Sequence, residues 1–312
     1  MSAPYVPGHG IPIAIPIGSE SDPMFSQVRT EVGRTGGTNT PHPSAAENEA
    51  RRLSRQRVAW LNEHLPERDR AVLELVAAHR YLTTGQLERF VFTSHSTPES
   101  AARTARRVLA RLERGGLLAS LDRRIGGVRA GSSARVWQLT SGSARLLRDD
   151  GVAFRRHDPS PRFLGHCLAV GDVNLLLRGL TAHGATSVTV DVEPASWRSF
   201  TGPGGERRSL QPDLAAFIQT ESFDERWFVE VDLGTESLPT LLRKCGQYEA
   251  YRESGVEQAE HGSFPLVWWV LTSDERAERL LRTIRRTPRL TPALYRVSTF
   301  TDLSARLAEA LQ

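Results

Sequence analysis

Lysine is almost absent from this chain of 312 residues: of its 40 basic side chains 39 are arginine, and the one lysine is Lys244. A GC-rich genome would account for such a bias, which would speak to origin and not to function. It makes the surviving lysine informative, because arginine stands at every other basic position. Cysteine is nearly as scarce. Cys167 and Cys245 can build neither a disulfide framework nor a Cys-rich zinc site, and are expected to be reduced thiols of a cytoplasmic protein. No uninterrupted run of about 18 apolar residues occurs, so no membrane span is expected. The apolar stretch from Pro7 to Gly18 is broken by proline and lacks the basic flank and cleavage pattern of a signal peptide.

The formal net charge of +4 hides a gradient. Residues 1–50 carry 2 arginines against 5 acids, residues 51–157 carry 21 against 10, and residues 158–312 carry 17 basic groups against 21 acids. The positive charge therefore lies in one segment, as a phosphate-binding module requires, although a solvated surface gives the same total. Three regions follow. Residues 1–50 hold 7 of the 18 prolines and are expected to be a largely disordered tail, with a helical stretch beginning near Ser44. Residues 51–157 and 158–312 are expected to be two domains.

In the middle region the expected order is helix, helix, helix, hairpin, helix. The first helix runs from Glu67 to His79. Thr83 or Thr84 caps the second. Thr97-Pro98-Glu99 opens the third, with proline at its first position, and Gly115-Gly116 stops it. Two strand-like runs, LLASLDRR and ARVWQLT, flank the turn-rich GGVRAGSS, so the whole reads as a winged helix-turn-helix. At 100° per residue, Ala101, Ala105, Val108, Leu109 and Leu112 of the third helix gather within about 100°. Arg103, Arg107 and Arg114 lie opposite, with Arg106 and Arg111 on their flanks. Such a stripe suits the major groove, since arginine grips both phosphate and the guanine edge. Arg123, Arg124, Arg129 and Arg135 fall in the proposed wing, where they would meet backbone phosphates or a minor groove.

From Ser160 the pattern changes to α-β-β-β-α-β-α-β. A helix is expected over 162–183, strands over 187–195, 210–218 and 227–233, a helix over 239–254, the strand PLVWWVLT, a helix over 274–286 and the strand LYRVSTF. Gly202-Pro203-Gly204-Gly205 reads as a turn between strands. Asp213 follows Pro212 in one strand, and Glu230 and Asp232 share a face of the next, opposite Val229, Val231 and Leu233. Acids aimed at a core need a reason. Asp213, Glu230 and Asp232 together would hold Mg2+ or Mn2+, with Glu193 as a further ligand. A salt-bridge network on a sheet edge is the competing explanation. Lys244, Gln247, Tyr248 and Tyr251 are spaced to share one helix face looking back over these acids, and His166 and Asp172 of the preceding helix are candidates to face the same cleft.

Pro212-Asp213, Glu230-Val231-Asp232 and Lys244-x-x-Gln247-Tyr248 resemble the PD-(D/E)XK nuclease superfamily, in the subtype whose lysine has moved to the following helix. With the preceding winged helix and the run EVDLGTESLPTLLRKCGQY, the chain resembles the bacterial replication-relaxation proteins of plasmids and mobile elements over about residues 67–300. The resemblance implies a mixed α/β chain: an N-terminal winged helix-turn-helix, then a restriction-endonuclease-like mixed sheet flanked by helices. It implies double-stranded DNA at a plasmid or mobile-element origin as partner, leaves a homodimer open, and points to Mg2+-dependent nicking or cleavage with Lys244, Gln247 and Tyr248 as catalytic residues. Asp232 departs from the pattern, since it stands where a standard nuclease has lysine, and activity then rests on Lys244. The alternatives are a non-catalytic DNA-binding accessory or regulator with an inactive nuclease fold, and a relaxase acting through Tyr248 or Tyr251, for which no His-x-His cluster is present.

Overall fold

The computed structural model describes residues 54–95, 97–121, 135–147 and 159–311, all within one compact unit. The expected tail, the helix start near Ser44 and the wing-tip residues Arg123, Arg124 and Arg129 lie outside them.

The first half opens with α1 (Arg55–His64) and α2 (Glu67–His79), followed by the two-residue β1 (Leu82–Thr83) and α3 (Thr84–Val91). Thr83 caps α3 in a full capping box with Gln86, so two of the unpaired N–H groups of that helix start are satisfied reciprocally. Thr97 caps α4 (Pro98–Arg114). Then come β2 (Leu118–Leu121), β3 (Val136–Leu139) and α5 (Ser141–Leu147). The three strands form one antiparallel sheet in the order β1-β3-β2. Val72, Leu73, Leu87, Leu109, Leu112 and Trp137 fill the core between sheet and helices. The five α4 positions expected to face the core are all buried.

The second half opens with α6 (Pro161–Arg178), which a 3-10 turn extends to His183. Next are β4 (Ser187–Val192), β5 (Arg198–Thr201), β6 (Arg207–Leu210), β7 (Leu214–Gln219) and β8 (Asp224–Asp232). α7 (Leu238–Ser254), α8 (Val256–His261), β9 (Leu266–Leu271), α9 (Asp274–Arg286), β10 (Tyr295–Thr299) and α10 (Leu303–Glu309) complete the chain. A five-stranded mixed sheet runs β10-β9-β8-β7-β4. β7 is antiparallel to both neighbours, while β8, β9 and β10 are mutually parallel. α6 and α10 cover one face through Val173, Leu177, Leu303 and Leu307. α7 and α9 cover the other through Leu241, Tyr248, Leu280 and Ile284.

The strand expected over 210–218 is two strands. Proline at 212 has no N–H to give to a ladder, so Leu210 ends a separate two-stranded hairpin, β5-β6, whose turn is the expected Gly202–Gly205. The stretch Pro161–His183 is long and apolar enough, by length and composition alone, to cross a membrane, which the sequence had not suggested. Half of its most apolar 18 residues are buried in the protein, where it lies between the three-stranded and the five-stranded sheet. Leu164 and Cys167 pack on Tyr81 and Val136, and Val170, Val173 and Leu177 pack on the five-stranded sheet. The approach on the first side is tight: a Cβ at Gly171 would sit 3.0 Å from Leu82 and Gln86 atoms. Gln86 Nε2 donates to the Leu168 carbonyl and to Asp172, which takes Asp172 away from the acidic cleft.

Candidate functional site

β8 supplies the centre of the site. Its Val229, Val231 and the following Leu233 pack on the α6 face, so Glu230 points to the α7 face, as strand periodicity requires. The β7-β8 register pairs Leu214 with Val229, and one step further sets Asp213 opposite Glu230. Because the ladder stops at Pro212, the Asp213 carboxylate takes over the backbone's role and accepts the Val231 N–H at 2.7 Å. Its other oxygen faces His166 Nε2 of α6 at 3.1 Å.

Lys244 comes from α7, which Ser237 caps and Pro239 starts. One turn separates it from Tyr248, so both reach the same carboxylate. Lys244 Nζ lies 2.5 Å from Glu230 Oε2, and the Tyr248 hydroxyl donates to Glu230 Oε1. Glu230 is 1% exposed and Tyr248 wholly buried, whereas the Lys244 and His166 side chains keep 27% and 33% of their surface. Solvent therefore meets the site through the lysine and the histidine.

The charges are strongly coupled. Burial drives the Glu230 carboxyl up to about 8, against the pull of the Lys244 ammonium. Burial also opposes charge on Asp213, but Lys244 and His166 outweigh it and hold that carboxyl below its ordinary value. Burial disfavours the Lys244 and His166 cations too, yet the facing carboxylates raise both. Glu193, just after β4, belongs to the same cluster: burial and Asp213 raise it, while Arg80, Lys244 and His166 pull it down.

Asp232 is not part of this cluster. Its carboxylate is buried and bound by the Arg276 guanidinium from α9, and it accepts the Gly234 N–H at 3.0 Å. Arg276 also donates to the Glu236 carbonyl at 2.6 Å, so the pair fastens the β8–α7 connection to α9. Sequence reasoning missed Arg276, because Asp274 and Glu275 in the same first turn of α9 already offset a cation there. Gln247 is exposed, while Tyr248 next to it is buried. Tyr251 is buried and donates to Glu257 at 2.5 Å. With both tyrosine hydroxyls buried on carboxylates, neither is placed to attack a phosphorus atom. No group of three or more His, Cys, Asp or Glu side chains gathers in metal-binding geometry among the described residues.

The basic helix is α4. Arg103, Arg106, Arg107, Arg111 and Arg114 are all exposed. Arg111 nevertheless has a structural partner, gripping the buried Asp69 of α2 with both carboxylate oxygens at 2.7 and 2.8 Å. Arg114 Nε folds back on the Ala110 carbonyl at 3.3 Å. Arg103, Arg106 and Arg107 have no carboxylate within ion-pair distance among the described residues. Arg135, at the described foot of the proposed wing, pairs with Glu113 at 3.2 Å.

These features define a mixed α/β protein in which helices, a small antiparallel sheet and an arginine-bearing helix pack with a five-stranded mixed sheet that carries an acid-and-lysine cluster. The model of the Replication-relaxation family matches residues 73–267, more than half of the chain, and the chain belongs to that family. No curated protein and no solved structure matches it.

Proposed function

We propose that this chain binds double-stranded DNA at a plasmid or mobile-element origin through a winged helix-turn-helix, and that its second half is a nuclease-like domain of the PD-(D/E)XK type that nicks or cleaves it. The observation that carries the reading is the meeting of Lys244 with Glu230 beside Asp213, since a lysine displaced onto the helix has to reach these acids for the superfamily pattern to work. The order β4-β7-β8-β9, with α6 before it and α7 between β8 and β9, supports the same fold. In the first half, the succession of α2, α3 and α4 followed by β2 and β3, with Arg103, Arg106 and Arg107 exposed, supports docking of α4 in a major groove.

Asp213 and Glu230 offer hard oxygen ligands of the kind Mg2+ or Mn2+ takes. An ion held there would supply an activated water and a positive charge beside the phosphorus. Lys244 would neutralise charge on the phosphate, Tyr248 would orient Glu230, and His166 would hold Asp213. Asp232, already neutralised by Arg276, is left out of the ligand set.

One observation favours a second reading, a DNA-binding accessory with an inactive nuclease fold. Each oxygen of Asp213 and Glu230 already has a protein partner, so an ion has to displace one. The test is conversion of supercoiled plasmid carrying the native locus to nicked circles with Mg2+ or Mn2+. Nicking abolished by Asp213→Ala and by Lys244→Ala supports the enzyme. Binding without nicking, lost in Arg103→Gln/Arg107→Gln and kept in Asp213→Ala, supports the accessory.

A further inference from the structure

The acidic total of residues 158–312 conceals a strongly basic stretch. From Arg279 to Thr301 the chain has six arginines and no acid. Arginine in place of lysine is explained by the compositional bias of the chain, but the bias does not explain why acids are missing. Solvated helix faces ordinarily mix both signs. The first turn of α9 does so, with Asp274, Glu275 and Arg276.

The stretch is ordered into a surface. Leu280 and Ile284 anchor α9 in the core under the sheet, which turns Arg279, Arg282, Arg285 and Arg286 outward, all exposed, with Arg289 exposed just beyond. At 100° per residue, Arg279, Arg282 and Arg286 fall within about 60° of one another. Of these five, only Arg282 has an acid within 4 Å among the described residues, Glu278 at 3.7 Å, with both side chains largely exposed, and such a pair holds its members weakly. Arg285 and Arg286 also suit the negative end of the helix. That gives Arg285 and Arg286 a favourable place in the helix without occupying either guanidinium, and it leaves Arg279, Arg282 and Arg289 without a structural task.

Spacing and position point to a ligand. Seven residues of helix span about 10 Å, and one DNA strand places a phosphate about every 3.4 Å of axis, so the stripe covers about three phosphates. The stripe begins one turn after Arg276, which holds Asp232 two residues beyond Glu230. It therefore follows directly on the turn of α9 that is tied to β8, the strand that carries Glu230.

We propose that Arg279, Arg282 and Arg286 form a second phosphate-binding track, which holds the backbone of a nucleic-acid strand that passes the Lys244 site. This rests on the nucleic-acid reading above and adds a contact outside the α4 face. Guanidinium groups suit the task, since each can take a phosphate bidentately.

The experiment measures affinity of the full-length protein for a mixed-sequence duplex of about 30 base pairs and for one of its strands, across a salt series. Neutralising the track with Arg279→Gln/Arg282→Gln/Arg286→Gln is expected to reduce the slope of log K against log salt by about 2.7 on duplex, or about 2 on single strand. The probe that shows the change identifies the strand form. The corresponding triple lysine variant keeps the charge and is expected to keep the slope. All three side chains are exposed, so the thermal midpoint should hold. An unchanged slope in the glutamine variant, with binding still weakened by Arg103→Gln/Arg107→Gln, overturns the track and leaves the α4 reading standing. Failure of the unmodified protein to bind either probe overturns both.

Discussion

The Glu230 carboxylate is held between two residues of α7, Lys244 Nζ at 2.5 Å from one oxygen and the Tyr248 hydroxyl on the other. The pair spans the sheet–helix boundary at the only lysine of the chain, and Glu230 is almost fully buried. Removing one partner of such a pair strands the other. Lys244→Met and Glu230→Gln are therefore each expected to destabilise the protein. The double variant should lose less than the sum of the two, with a coupling of about 1–3 kcal/mol. Part of the lysine is open to solvent, which keeps the figure below that of a sealed ion pair. Urea unfolding of the four proteins at pH 7 measures it, and strict additivity would show that the two groups do not sense each other.

Asp232 provides a contrast two residues along the same strand. Its charge is matched by Arg276, and its role is to fix the start of α7 against α9. Arg276→Ala is thus expected to destabilise by about 3 kcal/mol, as when one partner of a buried pair is removed, with much of the loss recovered in Arg276→Ala/Asp232→Asn. If Asp213 and Glu230 hold a divalent ion, Mn2+ binding by calorimetry should survive in Asp232→Asn and vanish in Asp213→Asn. Loss of binding in both variants would restore Asp232 to the ligand set.

How far the sequence leads is clear from these two acids. Glu230 and Asp232 share a strand face by periodicity alone, and that face was legible. Lys244 over these acids was legible too, but the partner of Asp232 was not, because Arg276 lies 44 positions away on a helix whose docking depends on the whole sheet. The long helices were legible for local reasons: Thr97 and Pro98 start α4, and Ser273 caps α9. The two-residue β1 and the short α8 and α10 lack enough periods to register. His166 was recognised only as a candidate, since a lone histidine says nothing until Asp213 is folded against it.

His79 links the two halves through a chain of hydrogen bonds. Arg178 Nε donates to Asn174 Oδ1 at 3.0 Å, and Asn174 Nδ2 is 3.0 Å from His79 Nε2. Asn174 thus presents an N–H to the histidine, which has to be neutral to accept it. Burial, aided by Arg178, pushes the His79 pKa down to about 4. Between about pH 4 and 6.5 the unfolded chain then binds more protons at this residue than the folded one. Stability from this group is complete above pH 6.5 and is lost as the pH falls, by about 3 kcal/mol at pH 4. His79→Gln should flatten the pH dependence of unfolding free energy in that window. An equal slope in the variant would assign the acid sensitivity elsewhere.

Arg80 follows at once and carries backbone strain. Its φ of 65° and ψ of −44°, with Tyr81 N–H donating to the His79 carbonyl at 2.7 Å, describe the rare hand of γ-turn, a conformation that side chains resist. It is the only non-glycine residue with positive φ among those described. The turn places Arg80 Nη2 3.4 Å from Glu193 and its guanidinium over the Phe163 ring, so the first half of the chain contributes a cation to the edge of the acidic cluster. The ion pair is partly exposed and contributes about 1 kcal/mol or less, while the strain costs about 1–3 kcal/mol. Arg80→Ala keeps the strain and loses the contacts, and should be less stable than the parent. Arg80→Gly loses the same contacts but relieves the backbone, and should be more stable than Arg80→Ala by at least about 1 kcal/mol. Thermal unfolding of the two variants side by side decides the matter, and an alanine variant as stable as the glycine variant would mean that the turn relaxes when Glu193 lets go.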